Sequence, residues 1–212
     1  MKYYLVHAAD GDAESNYILG RYYLGYATEL GAGDIDYDEA NQHLKIAADK
    51  GNMDAIKLYS SHLIHDYNDD YTMASEGVKY AKIAAMHGDT DAMWDLGVCY
   101  GSGIGTEADS KESFKWTLMA AERGVVGTMG IVALDYEEGL GVEADTDKAL
   151  YWYEKAAEHG NICSMYLLGL LYEGEGDEDS LTKAISWYEK AAKSGDEPSR
   201  QRLDYLHDKY QK

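Results

Sequence analysis

The sequence predicts an all-α chain: a right-handed α–α superhelix, or solenoid, of about five helix pairs with a half repeat at each end. Three observations predict it. The chain of 212 residues has one Pro against 22 Gly, so helices run uninterrupted and the glycines fall between them as punctuation. An Ala-Ala pair recurs at Ala8-Ala9, Ala47-Ala48, Ala84-Ala85, Ala120-Ala121, Ala156-Ala157 and Ala191-Ala192, in steps of 39, 37, 36, 36 and 35 residues. A period of that length marks stacked helical units. Four residues before each pair stands a large ring: Tyr4, His43, Tyr80, Trp116, Trp152 and Trp187. That spacing puts ring and alanines on one helical face, where the ring fills space and the alanines admit a neighbouring helix.

The elements follow in order. Residues 1–10 read as a partial unit, the second helix of a pair. Five pairs occupy 11–50, 51–87, 88–123, 124–159 and 160–194, and 195–212 forms a capping helix, so that 1–212 is one array. Helix A denotes the first helix of a pair and helix B the second. A Gly closes each Ala-Ala helix, and Gly11-Asp12, Gly51-Asn52, Gly88-Asp89, Gly160-Asn161 and Gly195-Asp196 add an acid or amide, with Gly124-Val125 the exception. The Gly takes positive φ and ends one helix. The Asp or Asn accepts from the free N–H groups of the next. Helix A carries Leu19-Gly20…Tyr23, Leu96-Gly97…Tyr100 and Leu168-Gly169…Tyr172, with Val132-Ala133…Tyr136 a degenerate copy and Tyr59-Ser60…Leu63 a weaker one. The loops Gly103-Ile104-Gly105 and Gly139-Leu140-Gly141 then reverse the chain, and Asp109 or Asp145 caps helix B. Asp109 and Glu112 have capping-box spacing. One pair cannot bury both its faces, so the units must stack.

This pattern resembles the Sel-one-like repeat family, a relative of the tetratricopeptide repeats. The resemblance is strongest over 124–195, through Tyr136, Gly139, Gly141-Val142, Asp145, Lys148-Ala149, Trp152-Tyr153, Lys155-Ala156-Ala157 and Gly160, then Leu168-Gly169, Tyr172, Lys183-Ala184, Trp187-Tyr188 and Gly195. Residues 88–123 also fit, while 51–87 lack the Leu-Gly, the glycine loop and the Trp. The resemblance implies a non-enzymatic adaptor or scaffold that binds other proteins. The alternative it carries is an enzyme or enzyme-associated domain of β-lactam-hydrolase type. Some secreted members staple each pair with a disulfide; Cys99 and Cys163 fall at different repeat positions and cannot reproduce that.

Charge narrows the partners. Lys plus Arg number 19 and Asp plus Glu 39, a formal net charge of −20. Such a surface repels nucleic acid and anionic membrane alike. With no signal-like run at Met1-Lys2-Tyr3-Tyr4 and no membrane-length apolar stretch, a cytoplasmic protein is expected. No cofactor, metal or catalytic residue is expected either. The Gly-x-Gly loops follow helices and recur as turns, unlike phosphate loops. Ser180-Leu181-Thr182-Lys183 has Ser-x-x-Lys spacing, but Lys183 occupies the slot of Lys148, which makes Ser180 a helix cap. The Asp34–Glu39 run begins like a calcium loop yet has Glu39 and Lys45 where Gly and Glu are needed. His62 and His65 lie one turn apart beside Asp66 without an evident third ligand. His87 and His159 precede helix-ending glycines, where an imidazole meets the last carbonyls. Cys99 and Cys163 read as buried or half-buried thiols.

The binding surface is expected on the face of helix A turned away from helix B. Its slots are Tyr17 and Arg21; Lys57 and Ser61; Trp94 and Val98; Gly130 and Leu134; Tyr166 and Leu170; Gln201 and Tyr205. Trp94 is the one tryptophan outside the ring slot, whereas Trp116, Trp152 and Trp187 are expected in the core. Gly130 is read as a gap for a ligand side chain, and Arg21 with Lys57 as positive charge at one end of a groove. The ligand is then a protein or peptide, an extended segment with an acidic end and an apolar end, while the surrounding charge of −20 favours basic flanks on the partner. The unpartnered start of the array at Tyr3, Tyr4, Leu5 and Val6 predicts weak self-association through that end.

Overall fold

The computed structural model describes residues 1–27, 30, 31, 35–67 and 69–210. Part of the first long loop, Asp34 of the calcium-like run, and Gln211 and Lys212 lie outside the described residues. Among the described residues there are twelve helices and no strand: α1 (Lys2–Ala9), α2 (Ala13–Tyr23), α3 (Tyr37–Asp49), α4 (Met53–Asp66), α5 (Tyr71–Met86), α6 (Thr90–Ser102), α7 (Ser110–Glu122), α8 (Val126–Glu138), α9 (Thr146–Glu158), α10 (Ile162–Glu175), α11 (Glu178–Lys193) and α12 (Glu197–Tyr210). They are a lone helix B, five A/B pairs and a last helix A, as the repeat requires. They group into two compact units, Met1–Trp116 and Thr117–Lys212, with the boundary inside α7.

The helix junctions repeat one motif. At the end of α5, Gly88 has φ +92°. Its N–H donates to Ala85 O (2.9 Å) and that of Asp89 to Ala84 O (3.1 Å), a Schellman closure that needs a residue in the left-handed region. The Asp89 carboxylate then accepts from Ala92 N–H at 2.9 Å and caps α6. Asp12, Asn52 and Asn161 do the same for α2, α4 and α10. Val125 leaves α8 with no side-chain cap.

In the first unit, glycines set how closely helices approach. A Cβ on Gly20 would lie 2.5 Å from the Leu44 side chain of α3. One on Gly105 would lie 2.3 Å from the backbone of Ala74, which seats the glycine loop on α5. Tyr59 and Tyr80, both fully buried, meet edge to face with centroids 5.2 Å apart. Asp109 accepts from Lys111 and Glu112 N–H. Glu112 does not complete the capping box: its carboxylate pairs with Lys115 at 2.9 Å, and Asp109 N–H donates to Tyr100 O instead. In α1 only Ala8 is buried, while Tyr3, Leu5 and Val6 are exposed and Tyr4 is half-buried.

In the second unit, Gly169 lies where a Cβ would strike the Tyr188 ring at 2.4 Å. The capping helix is clamped by a two-point contact of Arg202 with Glu173, at 2.7 and 2.5 Å. Two expectations need correction. Ser180 is not the cap of α11. Asp177 is, accepting from Ser180 N–H at 2.9 Å, because Asp stands three residues earlier and caps better with its ionised side chain. And Trp187 is half-buried, unlike Trp116 and Trp152 at 7% exposure. An open cavity of about 510 Å³ lies beside it between α9, α10 and α11, and Lys190 Nζ sits 3.7 Å from the ring centroid.

Candidate binding face

The expected binding slots lie on the A helices of both units. In the first unit, Trp94 (37% exposed) and Val98 stand on the surface of α6, one turn apart. Tyr17 on α2 is half-buried, with the Arg21 guanidinium 5.7 Å from its ring centroid. Burial holds the Tyr17 phenol above its ordinary value. Arg21 also donates to Tyr26 O at 3.3 Å.

Lys57 and Ser61 of α4 line a cavity of about 240 Å³ against α6, with Leu58, Ser60, Asp89, Asp91, Ala92 and Asp95. Here the expected positive end of the groove is corrected. Lys57 Nζ lies 2.8 Å from Asp89 Oδ2, and that bond holds the ammonium above the usual lysine range. Burial works against the Asp89 charge, but the Lys57 contact and the Ala92 N–H bring the carboxyl below its ordinary value. Three carboxylates against one lysine make the cavity acidic.

Asp95 is the residue that slot reading passes over. Two positions before the small residue of helix A in the five pairs stand Ile18, Leu58, Asp95, Ile131 and Leu167. Four aliphatics and one acid share a slot, and that contrast is legible in the sequence. The Asp95 side chain is 8% exposed. Its Oδ1 lies 3.0 Å from Nε2 of His65, itself largely exposed. Burial raises the carboxyl above its usual range, with His65 pulling the other way.

In the second unit, Leu134, Leu170 and Tyr205 are exposed and Gln201 points to solvent. Tyr166 is half-buried, its ring 5.8 Å from that of Tyr188 on α11, so it belongs partly to the pair's core. Gly130 is not a gap. A Cβ there would stand 3.1 Å from Ser164 Oγ of α10; the missing side chain is what lets α10 approach.

The other constellations have structural partners. His62 Nδ1 meets Asp66 at 2.6 Å, while His65 turns to Asp95. Among the described residues no three His, Cys, Asp or Glu groups converge as metal ligands. Ser180 Oγ donates to Glu175 at 2.5 Å, and Lys183 Nζ lies 5.0 Å from the Tyr172 ring centroid. His87 and His159 reach Ile83 O (2.8 Å) and Lys155 O (2.7 Å), as the helix ends predict. Cys99 is buried, and desolvation pushes its thiol up to about 12. Cys163 is exposed rather than buried, because it lies in the outward first turn of α10. No described helix is long and apolar enough to cross a membrane.

Twelve helices in a repeated A/B order, with small residues at the pair contacts, define a helical-repeat protein of the α–α superhelix class. The Sel1 repeat model matches residues 13–52, 90–125, 129–161 and 164–196. The chain belongs to the Sel1 repeat family. It is similar to the protective antigen c5321 of uropathogenic Escherichia coli, which displays an SLR fold, at 30% identity and TM-score 0.76, over 97% of this chain and 43% of that one. The chain thus spans less than half the length of that antigen. It is also similar to a Sel1 repeat protein from Oxalobacter formigenes, at 28% identity and TM-score 0.59, over 90% and 74% of the two chains. No curated protein matches the sequence.

Proposed function

We propose that the faces of the A helices turned away from their B helices bind an extended segment of a partner protein, and that the chain is a non-catalytic adaptor. The Sel1 repeat fold is generally a non-catalytic interaction fold. One observation carries the reading further: large apolar side chains stay exposed in one slot of four A helices, Val98 in one unit and Leu134, Leu170 and Tyr205 in the other, with exposed Trp94 one turn before Val98. A plain spacer has no use for such a stripe, and aromatic anchors of this kind dominate binding energies. The enzyme alternative draws less support. In the α4–α6 cavity the Ser60 hydroxyl donates to Lys57 O at 2.9 Å and forms no nucleophile–base pair. The exposed Tyr3, Leu5 and Val6 of α1 support weak self-association as a second contact.

The test is selection of random peptides displayed against the immobilised chain and against Trp94→Ala and Trp94→Ala/Tyr166→Ala variants. The wild type enriches a peptide family; the variants keep their helical signal and lose it. Equal enrichment on all three places the binding surface elsewhere. Unfolding of the double variant alone assigns Tyr166 to the core and leaves Trp94→Ala to decide.

A further inference from the structure

We infer that the open cavity at Trp187 is a second docking site, distinct from the A-helix stripe, for a partner segment that carries acidic residues beside a large apolar one. Two independent departures from the repeat coincide there. The first is steric. Trp116 and Trp152 are 7% exposed, whereas Trp187 in the same slot is half-buried and lines a cavity of about 510 Å³ with Ala157, Met165, Lys190 and Lys193. A recess of that size lies in the range of ligand pockets. The second is electrostatic. Six residues after the ring of each helix B stand Asp10, Asp49, Met86, Glu122, Glu158 and Lys193. The slot is acidic in four units and basic in one, and that one is the unit whose tryptophan is open. A helix C-terminus favours a lysine, yet the other units do without one.

The lining states what the occupant must carry. Lys190 Nζ lies 3.7 Å from the Trp187 ring centroid, and no ion pair engages Lys190 or Lys193 among the described residues. Lys115 and Lys148, by contrast, pair with Glu112 and Asp145. Glu158 also lines the cavity, so two cations stand against one carboxylate, on a chain whose net charge is −20. The rest of such a surface repels an acidic segment, and this place attracts it. Ala157, Met165 and the Trp187 ring supply the apolar part, where a second ring gains from both the indole and the thioether. A bare anion leaves that lining unused, and an uncharged apolar segment leaves both ammonium groups unpaired. None of the A-helix slots at Leu134, Leu170 and Tyr205 lines the cavity.

The experiment uses three synthetic peptides: acetyl-Gly-Glu-Phe-Glu-Gly-amide, a counterpart with both glutamates changed to glutamine, and one with the phenylalanine changed to alanine. Each is titrated into the isotopically labelled full chain and followed by amide, indole and methionine-methyl NMR shifts. The parent peptide should give saturable shifts at the Trp187 indole, the Met165 methyl and the Ser194 amide. The glutamine peptide should bind about threefold or more weakly, as the loss of exposed ion pairs implies. The alanine peptide should bind about tenfold or more weakly, through the lost apolar burial. Lys193→Glu restores the acid of the other units on an exposed side chain. It should remove the preference for glutamate while the unfolding midpoint stays within a few degrees. Absence of saturable binding, equal binding of the glutamate and glutamine peptides, or a preference that survives Lys193→Glu overturns the site. So do shifts centred on Leu134 and Leu170, which would send the segment to the A-helix stripe. Shifts at Trp187 that grow with protein concentration and no peptide assign the cavity to a second copy, and overturn it as well. The Trp94 face is decided separately by the displayed peptides, so the adaptor reading stands or falls without this site.

Discussion

The Tyr153 hydroxyl donates to Glu137 Oε2 at 2.7 Å, and Tyr188, in the same slot of the next unit, donates to Glu173 at 3.1 Å. Each ties a fully buried ring of helix B to the last turn of its own helix A. Burial comes first and the carboxylate second among the causes that push the Tyr153 phenol up. Removing the hydroxyl with Tyr153→Phe leaves the ring packed and frees one carboxylate. The expected cost is about 1–2 kcal/mol, read as a lowered midpoint in urea unfolding with unchanged slope. No change would show that Glu137 serves solvent and not the pair.

The tryptophan slot is unequal along the chain. Trp152→Ala removes a ring that is 7% exposed and should cost about 3–5 kcal/mol. Trp187→Ala removes a half-buried ring beside an open cavity and should cost less than half of that. Equal losses of thermal stability would mean that the Trp187 cavity closes in solution.

Asp135 provides a pH signature. Burial alone pushes its carboxyl up to about 6 from an ordinary 3.8. The folded state therefore holds a proton that the unfolded state releases. Stability is fully present below about pH 4 and falls as pH rises to about 6, by on the order of 2–3 kcal/mol. Asp135→Asn should flatten that decline and stabilise the chain at neutral pH. A midpoint in urea that is unchanged by Asn at pH 7.5 contradicts this.

Glu173 works in the opposite direction. The Arg202 contact holds its carboxyl below the usual 4.5, against some desolvation. Its contribution is present above the unfolded value and is lost as pH falls through the folded one. Arg202→Gln should lower stability at pH 6 and narrow its difference from wild type at pH 3. A constant difference across that range removes the Arg202–Glu173 pair as the cause.

Most of the fold is legible in the residues themselves. The Gly-Asp junctions and the Leu-Gly motif are local chemistry repeated, so a pattern of about 36 residues locates all twelve helices. What depends on neighbours is less legible. The same Trp slot is covered at Trp152 and open at Trp187, and nothing within the slot distinguishes them. Gly130 reads as space until Ser164 is seen to fill it. Lys57 reads as a free cation because its partner Asp89 is 32 residues away and already has a role as a cap. Asp95 could have been found: an acid in an aliphatic slot is visible by counting alone.

Binding of an extended protein segment by the Trp94 face is the proposal on which the adaptor reading turns. Its most direct measurement is the dissociation constant of one selected peptide for the wild type and for Trp94→Ala, by titration calorimetry, with thermal unfolding of both as the control. Unfolding midpoints should agree within a few degrees, and binding should weaken by about tenfold or more, as on the loss of an aromatic anchor. Undiminished affinity in a folded Trp94→Ala chain would contradict it.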